Sequence, residues 1–264
     1  MTTLKIKNPF NAPVYHEKII SSTMDISRQL ASAGEIHGTV ITADFQEAGR
    51  GRVRGRTWEM ESETSLPFTI LLRYPGIEKI PPLITLRAGL AVSLAIEDFV
   101  PSLKNAVMIK WPNDIIINSK KTAGILCEAD GSGNVYLGIG INFTQKEFPA
   151  HLSEKATSIA ITANRDIMFN ERFILLEKIL TCFYDELQTC SNVLISRIEQ
   201  KLFKKGELVI FIEGAADSGK TVKGRLAGIT EGGELLIETA CETQAPSVQH
   251  TKLCSFITGE LKVF

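Results

Sequence analysis

Apolar and β-branched residues are patterned most densely between Val107 and Ile141. Four short runs, Val107–Lys110, Ile115–Ile117, Thr122–Glu128 and Val135–Ile141, are separated by Trp-Pro-Asn-Asp, Asn-Ser-Lys-Lys and Asp-Gly-Ser-Gly-Asn. Parallel neighbours need a crossover of about a dozen residues, so links this short predict antiparallel strands. Upstream, Gly38–Ala43 and Leu66–Arg73 are further strand candidates, and Val14–His16 is a short extended piece within an otherwise irregular start, Met1–Ile20. Helical spacing replaces the alternation at Leu83, Leu86, Leu90, Leu94 and Ala95, a helix opened by Pro81-Pro82 and ended before Pro101. Ser22-Thr23-Met24-Asp25 fits a capping box for a helix that stops at Gly34. Asn170 is placed to cap a helix over Glu171–Gln188, and a second helix is predicted over Val193–Leu202.

After Lys204-Lys205-Gly206 the pattern changes to short β-rich pieces, Glu207–Glu213, Thr221–Thr230, Glu234–Glu238 and Cys254–Val263, punctuated by glycine turns at Asp217-Ser218-Gly219 and Glu231-Gly232-Gly233. The expectation is a domain of residues 1–204 followed by a small β-barrel of residues 205–264, close to the lower size limit for independent folding and leaning on the first. The fold class expected is α+β, a mixed and largely antiparallel sheet with packed helices.

Composition narrows the function classes. With 44% hydrophobic residues among 264 there is ample material for a core, and 29 basic against 30 acidic residues give no global signal for nucleic acid. Five cysteines form no C-x-x-C pair, and the odd count excludes a complete disulfide framework, so they are expected as reduced thiols. The four histidines are scattered, the N-terminus lacks a secretory core, and no long apolar run suggests a membrane span. A cytoplasmic protein without a tightly bound metal is expected.

Against that neutral background, Gly49-Arg50-Gly51-Arg52-Val53-Arg54-Gly55-Arg56-Thr57-Trp58 stands out, with four arginines and three glycines ahead of an indole. Glycine lets the backbone approach a ligand, and arginine offers a permanently charged fork for carboxylate and phosphate oxygens. The segment therefore predicts a cationic loop that closes over an anion, with a solvated basic loop as the plainer account. Lys110-Trp111-Pro112-Asn113-Asp114 sets a cation, a ring, an amide and a carboxylate around a turn; conformation alone explains Pro112 and Asn113 but not the other members. Lys121-Thr122-Ala123-Gly124 starts a strand with a lysine, where a solvated edge charge is the common case. Gly138 and Gly140 interrupt an apolar strand ending at Asn142, and such glycines often mark close approach by a ligand.

The order and spacing of Ser22-Thr23, Gly38-Thr39-Val40, Gln46–Arg52, Lys110–Asp114, Lys121–Leu126 and Gly138–Asn142 resemble the biotin protein ligases, also called biotin–[acetyl-CoA-carboxylase] synthetases. The C-terminal piece, with Val222-Lys223-Gly224 and Phe256–Glu260, is similar to that family's SH3-like domain. The resemblance implies a catalytic domain of the class II aminoacyl-tRNA synthetase-like type. It implies a monofunctional member without the N-terminal DNA-binding domain, hence no operator binding, acting as monomer or homodimer. It also implies two-step chemistry: biotin and ATP form biotinyl-5′-adenylate, and a lysine of a biotin carboxyl carrier protein takes the biotinyl group.

Under the same resemblance Lys121 and Arg52 are the catalytic residues. Ser22, Thr23, Met24, Gln46, Gly49, Arg50, Gly51, Arg52, Lys121, Gly124 and Gly138 would bind biotin. Arg52, Arg56, Trp58, Lys110, Asn113, Asp114 and Asn142 would bind ATP, with Asp114 reaching Mg²⁺ through the phosphates. The family spacing is Gly-Arg-Gly-Arg-x-Gly-Arg-x-Trp, to which Val53-Arg54 adds one residue; Met24 stands where asparagine is common. A lipoate or octanoate ligase or transferase of the same architecture, and a biotin-binding relative without turnover, are the alternatives. An RNA-binding Arg-Gly segment is the weakest, because the flanks lack a basic, aromatic-rich surface.

Overall fold

The computed structural model describes residues 1–53, 55, 57–59, 61–214, 219–240 and 251–262. Arg54, Arg56, the Asp217-Ser218 part of one predicted turn, Cys241 and the predicted strand end Val263 lie outside the described residues. Eight strands form one sheet in the order β1-β2-β3-β4-β8-β7-β6-β5. Their ranges are β1 Thr2–Thr3, β2 Val14–Ile20, β3 Thr39–Gln46, β4 Ser65–Arg73, β5 Met108–Lys110, β6 Asp114–Ile117, β7 Lys120–Ala129 and β8 Asn134–Asn142. All pairs are antiparallel except β2 with β3, which run parallel with Val14 opposite Val40. The crossover between them is α1, Thr23–Ser32. The extended piece predicted at Val14–His16 thus runs on to Ile20. His-Glu-Lys has little strand preference of its own, and the backbone partners come from the buried β3 rather than from local sequence.

The helices cover the two faces unequally. One face of β3, β4, β7 and β8 is buried under α2 (Ile84–Phe99) and α4 (Arg172–Gln188), with Leu66, Phe68, Ile70, Leu137, Ile139, Leu90, Ile96, Leu175 and Ile179 in one cluster. Fully burying a side chain of this size contributes about 1.5–3 kcal/mol, so this layer dominates the fold. On the other face α1 covers less ground, packing Met24 and Ala31 against Leu71 and Tyr136.

Helix ends depart from expectation in detail. Ser22 is the N-cap of α1 and accepts from the Met24 amide at 3.3 Å, and Gly34 takes the left-handed φ of 90° that ends it. The Asp25 carboxylate pairs with Arg50 at 2.5 Å instead of completing a capping box. For α4, a short 3-10 turn at Phe169–Glu171 precedes the helix, and the Glu171 carboxylate caps that turn, accepting from the Met168 amide at 2.7 Å. Glu171 rather than Asn170 is the N-cap residue of α4, with no side-chain cap bond. A single turn, α3 (Ile159–Thr162), follows β8, and α5 spans Ser191–Gln200.

Cys127 illustrates what this packing does to a titratable group. On β7 it packs against the main core, and burial pushes its thiol from 9.0 up to about 11. The raised value means that the folded chain keeps this proton where the unfolded chain has lost it. The associated stabilisation is therefore complete below about pH 9 and disappears as pH rises through about 11. Iodoacetamide at pH 8, read by mass spectrometry, is expected to label the exposed Cys190 and leave Cys127 unmodified. Labelling of both at similar rates would show that the Cys127 thiol is neither sheltered nor raised.

Beyond α5, β9 (Leu208–Glu213), β10 (Lys220–Ile229), β11 (Leu235–Ala240), β12 (Thr251–Phe256) and β13 (Gly259–Lys262) form a second, antiparallel sheet in the order β12-β11-β10-β9-β13. The single strand predicted at the C-terminus is two, broken at Ile257-Thr258. Among the described residues, β12 and β13 remain the two edges, so the ladder does not close into the expected barrel. The sheet is nevertheless curled. Phe211 of β9 and Phe256 of β12 lie three strand positions apart, roughly 14 Å in a flat sheet, yet their rings are 4.9 Å apart. Phe211, Leu226, Leu235, Ile237, Phe256 and Leu261 join the same core cluster as β4 and β8, so the core continues across Lys204–Gly206.

Candidate active site

Strand alternation builds the floor of the site. Along β7 and β8, Ala123, Ile125, Leu137, Ile139 and Ile141 point into the helical layer. The opposite parity carries Gly124, Gly138 and Gly140, with Gly124 paired to Gly140. Three missing side chains leave a bare trough beside α1, on the face opposite the helical layer. Ser22, Thr23, Met24, Gln46, Arg50, Gly51, Arg52, Trp58, Asn113 and Lys121 complete its lining. Of the residues assigned to biotin from sequence, only Gly49 stands outside that lining.

One end of the trough is neutral and polar. Thr23, at the start of α1, donates to the Gln46 amide oxygen through its backbone N–H at 2.7 Å and its hydroxyl at 2.9 Å. Met24 lies over Gly138, where an added Cβ would come within 3.0 Å of the Met24 sulfur. The other end is cationic. Lys121 reaches back so that its Nζ is 3.2 Å from a Cβ built on Gly124, and it pairs with Asp114 at 2.6 Å. Arg52 donates to the Gly259 carbonyl at 3.0 Å, fastening the loop to β13.

Between the two ends lies Trp58. Its indole rests on the backbone of β8 and β7, so close that a Cβ on Gly140 would be 2.7 Å from Cε2 and one on Gly124 3.2 Å from Cζ3. Its Nε1 is buried without a hydrogen-bond partner among the described residues. The open volume left in the trough is about 60 Å³. That is well below the several hundred Å³ typical of a small-molecule pocket. The loop that carries Trp58 is closed at its base: Trp58 N donates to Gly49 O at 3.0 Å and Arg50 bridges Thr57.

A second cavity adjoins the cationic end, lined by Gly51, Arg52, Val53, Trp58, Lys110, Asn113, Asp114, Lys121 and Glu260 among others. Lys110 is nearly buried and sits 4.0 Å from Glu260 of β13. Trp111, ahead of a cis bond to Pro112, borders the same cavity and donates its Nε1 to Gly233 O at 2.9 Å, packing on Phe211 at 6.0 Å between ring centres. The excess of chemistry in Lys110–Asp114 therefore serves two surfaces, the cavity and the seam with the C-terminal sheet.

Two amides are engaged by backbone. Asn113 Nδ2 donates to Ile125 O at 2.9 Å, and Asn142 Nδ2 donates to Thr157 O at 3.0 Å. Asn142 lines neither cavity, and Arg56 lies outside the described residues. Sequence reading flagged Gly140 as a point of close approach without assigning it to biotin, and it missed Asp25 as partner of Arg50, and Glu260. The second glycine of Gly-Ile-Gly was a visible signal for the first; the other two depend on long-range folding. Among the described residues no group of three or more His, Cys, Asp or Glu side chains could hold a metal ion. No described helix is long and apolar enough to cross a membrane.

A floor of glycines, a cationic loop and a lysine at the start of an interior strand of this mixed sheet define a class that comparison with known proteins identifies. Residues 17–142 match the biotin/lipoate A/B protein ligase family. A bifunctional ligase/repressor BirA of Bacillus subtilis is 36% identical over 235 residues, covering 86% of this chain and 69% of that protein. The chain belongs to the biotin/lipoate A/B protein ligase family. A biotin–[acetyl-CoA-carboxylase] ligase of Mycobacterium tuberculosis is 33% identical over 140 residues, or 53% of this chain and 51% of that protein. Among solved structures, the biotin protein ligase of Aquifex aeolicus in complex with biotin and ATP superposes with a TM-score of 0.75 at 28% identity, covering 94% of this chain and 97% of that one.

Proposed function

We propose that this chain activates biotin with ATP and transfers the biotinyl group to a lysine of a biotin carboxyl carrier protein or domain. The observation that carries the reading is the two-ended trough, with Thr23 and Gln46 at its neutral end, bare strand between, and Lys121 and Arg52 at its cationic end. Biotin has the same sequence of parts: a neutral polar ring system, an aliphatic tail and a carboxylate. The named activities of the Bacillus and Mycobacterium relatives support this assignment.

In this reading Ser22, Thr23, Met24 and Gln46 hold the ring system, and Gly124, Gly138 and Gly140 let the tail lie against the sheet. The backbone of Gly49–Arg52 folds over the product. A biotin carboxylate oxygen attacks the α-phosphorus of ATP, pyrophosphate leaves, and a mixed anhydride remains. Two anions meet in that step. Fixed cations that neutralise both, Lys121 and Arg52, lower its barrier by charge stabilisation and by orientation. The nucleotide occupies the second cavity, with Lys110, Asn113 and Asp114 near its phosphates. The donor set there fits a magnesium ion only as a partner of those phosphates, since its two carboxylates, Asp114 and Glu260, already face Lys121 and Lys110. Such an ion would add charge neutralisation at the phosphates. In the second step the carrier amine attacks the biotinyl carbonyl and AMP leaves. Because about 60 Å³ is open in the trough, ligand entry displaces the Trp58 indole.

The test is biotin-dependent exchange of labelled pyrophosphate into ATP, with lipoate and octanoate as parallel substrates. Exchange with biotin alone is expected. Exchange with lipoate alone would assign the site to the other branch of the family. Biotin binding by calorimetry without exchange would leave a ligand-binding relative with no activating chemistry.

A further inference from the structure

Behind the neutral end of the trough stands a residue that lines neither the trough nor the second cavity. Thr69 of β4 is 0% exposed and is paired in register with Gly138 of the trough floor. Its hydroxyl lies 2.8 Å from Thr23 Oγ1 and donates to it. Thr23 Oγ1 in turn donates to Gln46 Oε1 at 2.9 Å. The direction of this chain is fixed by one group that cannot reverse: the Thr23 backbone N–H, 2.7 Å from Gln46 Oε1, is only a donor. The amide oxygen therefore faces Thr23, and the amide NH₂ must face the other way. Gln46 Nε2 indeed lies on the Gly49 side, 3.3 Å from a Cβ built there, with no acceptor among the described residues.

A hydroxyl carries one proton and two lone pairs. Thr23 has committed its proton to Gln46 and receives the Thr69 proton on one lone pair. What remains for a ligand is a defined pair of functions: N–H donors on Gln46 and one acceptor lone pair on Thr23. A cyclic urea or amide, with adjacent C=O and N–H, is complementary to that pair. Without the Thr69 hydroxyl, the Thr23 proton is free to turn toward the ligand, and the acceptor becomes a donor.

We propose that Thr69 is a positioning residue: its buried hydroxyl fixes the hydrogen-bond polarity of Thr23 and Gln46, and so the preference of the trough for a ligand head with neighbouring carbonyl and N–H. The proposal rests on the biotin-activating reading above. The experiment compares wild type, Thr69→Val and Thr69→Ser by biotin calorimetry, by pyrophosphate exchange over a range of biotin concentrations, and by thermal melting. Valine keeps the branched shape and removes the hydroxyl; serine keeps the hydroxyl.

The expected result for Thr69→Val is roughly tenfold weaker biotin binding, with KM for biotin raised in step, kcat at saturation unchanged, and recovery in Thr69→Ser. Equal binding by wild type and Thr69→Val overturns the assignment. So does a fall in kcat and melting temperature shared by both variants, which would mark Thr69 as a packing residue. If wild type itself fails to bind biotin, the biotin reading falls first and takes this inference with it; binding by wild type with an unaffected valine variant removes only the inference.

Discussion

Lys121→Ala is expected to lower biotin-dependent pyrophosphate exchange by roughly 10²–10³-fold. The lysine is the cation at the trough's charged end, and it also borders the second cavity. No other described cation lies so placed toward Gly124. Stability should change far less. The Lys121 side chain is 36% exposed, so solvent screens its pair with Asp114, and the loss is on the order of 1 kcal/mol or below. A double variant, Lys121→Ala with Asp114→Asn, separates the two effects. Removing the stranded carboxylate should restore melting temperature but not exchange. Wild-type-like exchange in the single variant would remove Lys121 from the chemistry.

Gly140→Val should abolish high-affinity biotin binding, weakening it by roughly 100-fold or more, in a chain that still folds. A Cβ at this position already comes 2.7 Å from the Trp58 indole, and valine adds two methyl groups beyond it. Either the indole or a ligand can yield to that bulk, but the trough floor cannot remain bare. The sheet tolerates the change in principle, because valine favours the extended backbone that β8 already has. Calorimetry and thermal melting on the same sample read both halves of the claim. Unchanged affinity would mean that the ligand does not lie along Gly124 and Gly140.

How much of this was legible in the sequence depends on how local the cause is. The strands β5 to β8 were readable because the residues and the turns that specify them are contiguous. The start of α1 was readable in Ser22 and its end in Gly34. By contrast, the length of β2 is set by parallel pairing with β3, some 26 residues downstream for Val14 and Val40. The buried Arg172 pairs with Asp44, which also meets His16 at 2.7 Å, and nothing near these residues in the chain announces that they converge. In the site, residue types announced chemistry but not orientation. Asn142 and Asn113 looked like ligand-reading amides, yet their NH₂ groups hold backbone carbonyls. Trp58 was expected among the ATP-binding residues, whereas its indole lies on the glycine floor. Thr69 carried no signal at all, since threonine is an ordinary strand residue.

The closed base of the arginine-glycine segment bears on how such proteins diverge. Gly49 bonded to Trp58 and Arg50 bridged to Thr57 form a clasp that does not itself use the Val53-Arg54 position. The additional Val53-Arg54 position falls inside that span. Closure entropy grows only logarithmically with the number of residues between two fastened points, so one added residue is a small change in that term. Natural or laboratory insertions between Val53 and Thr57 should therefore be inherited as near-neutral changes, and that stretch becomes a place where substrate preference can drift without re-engineering the sheet beneath it.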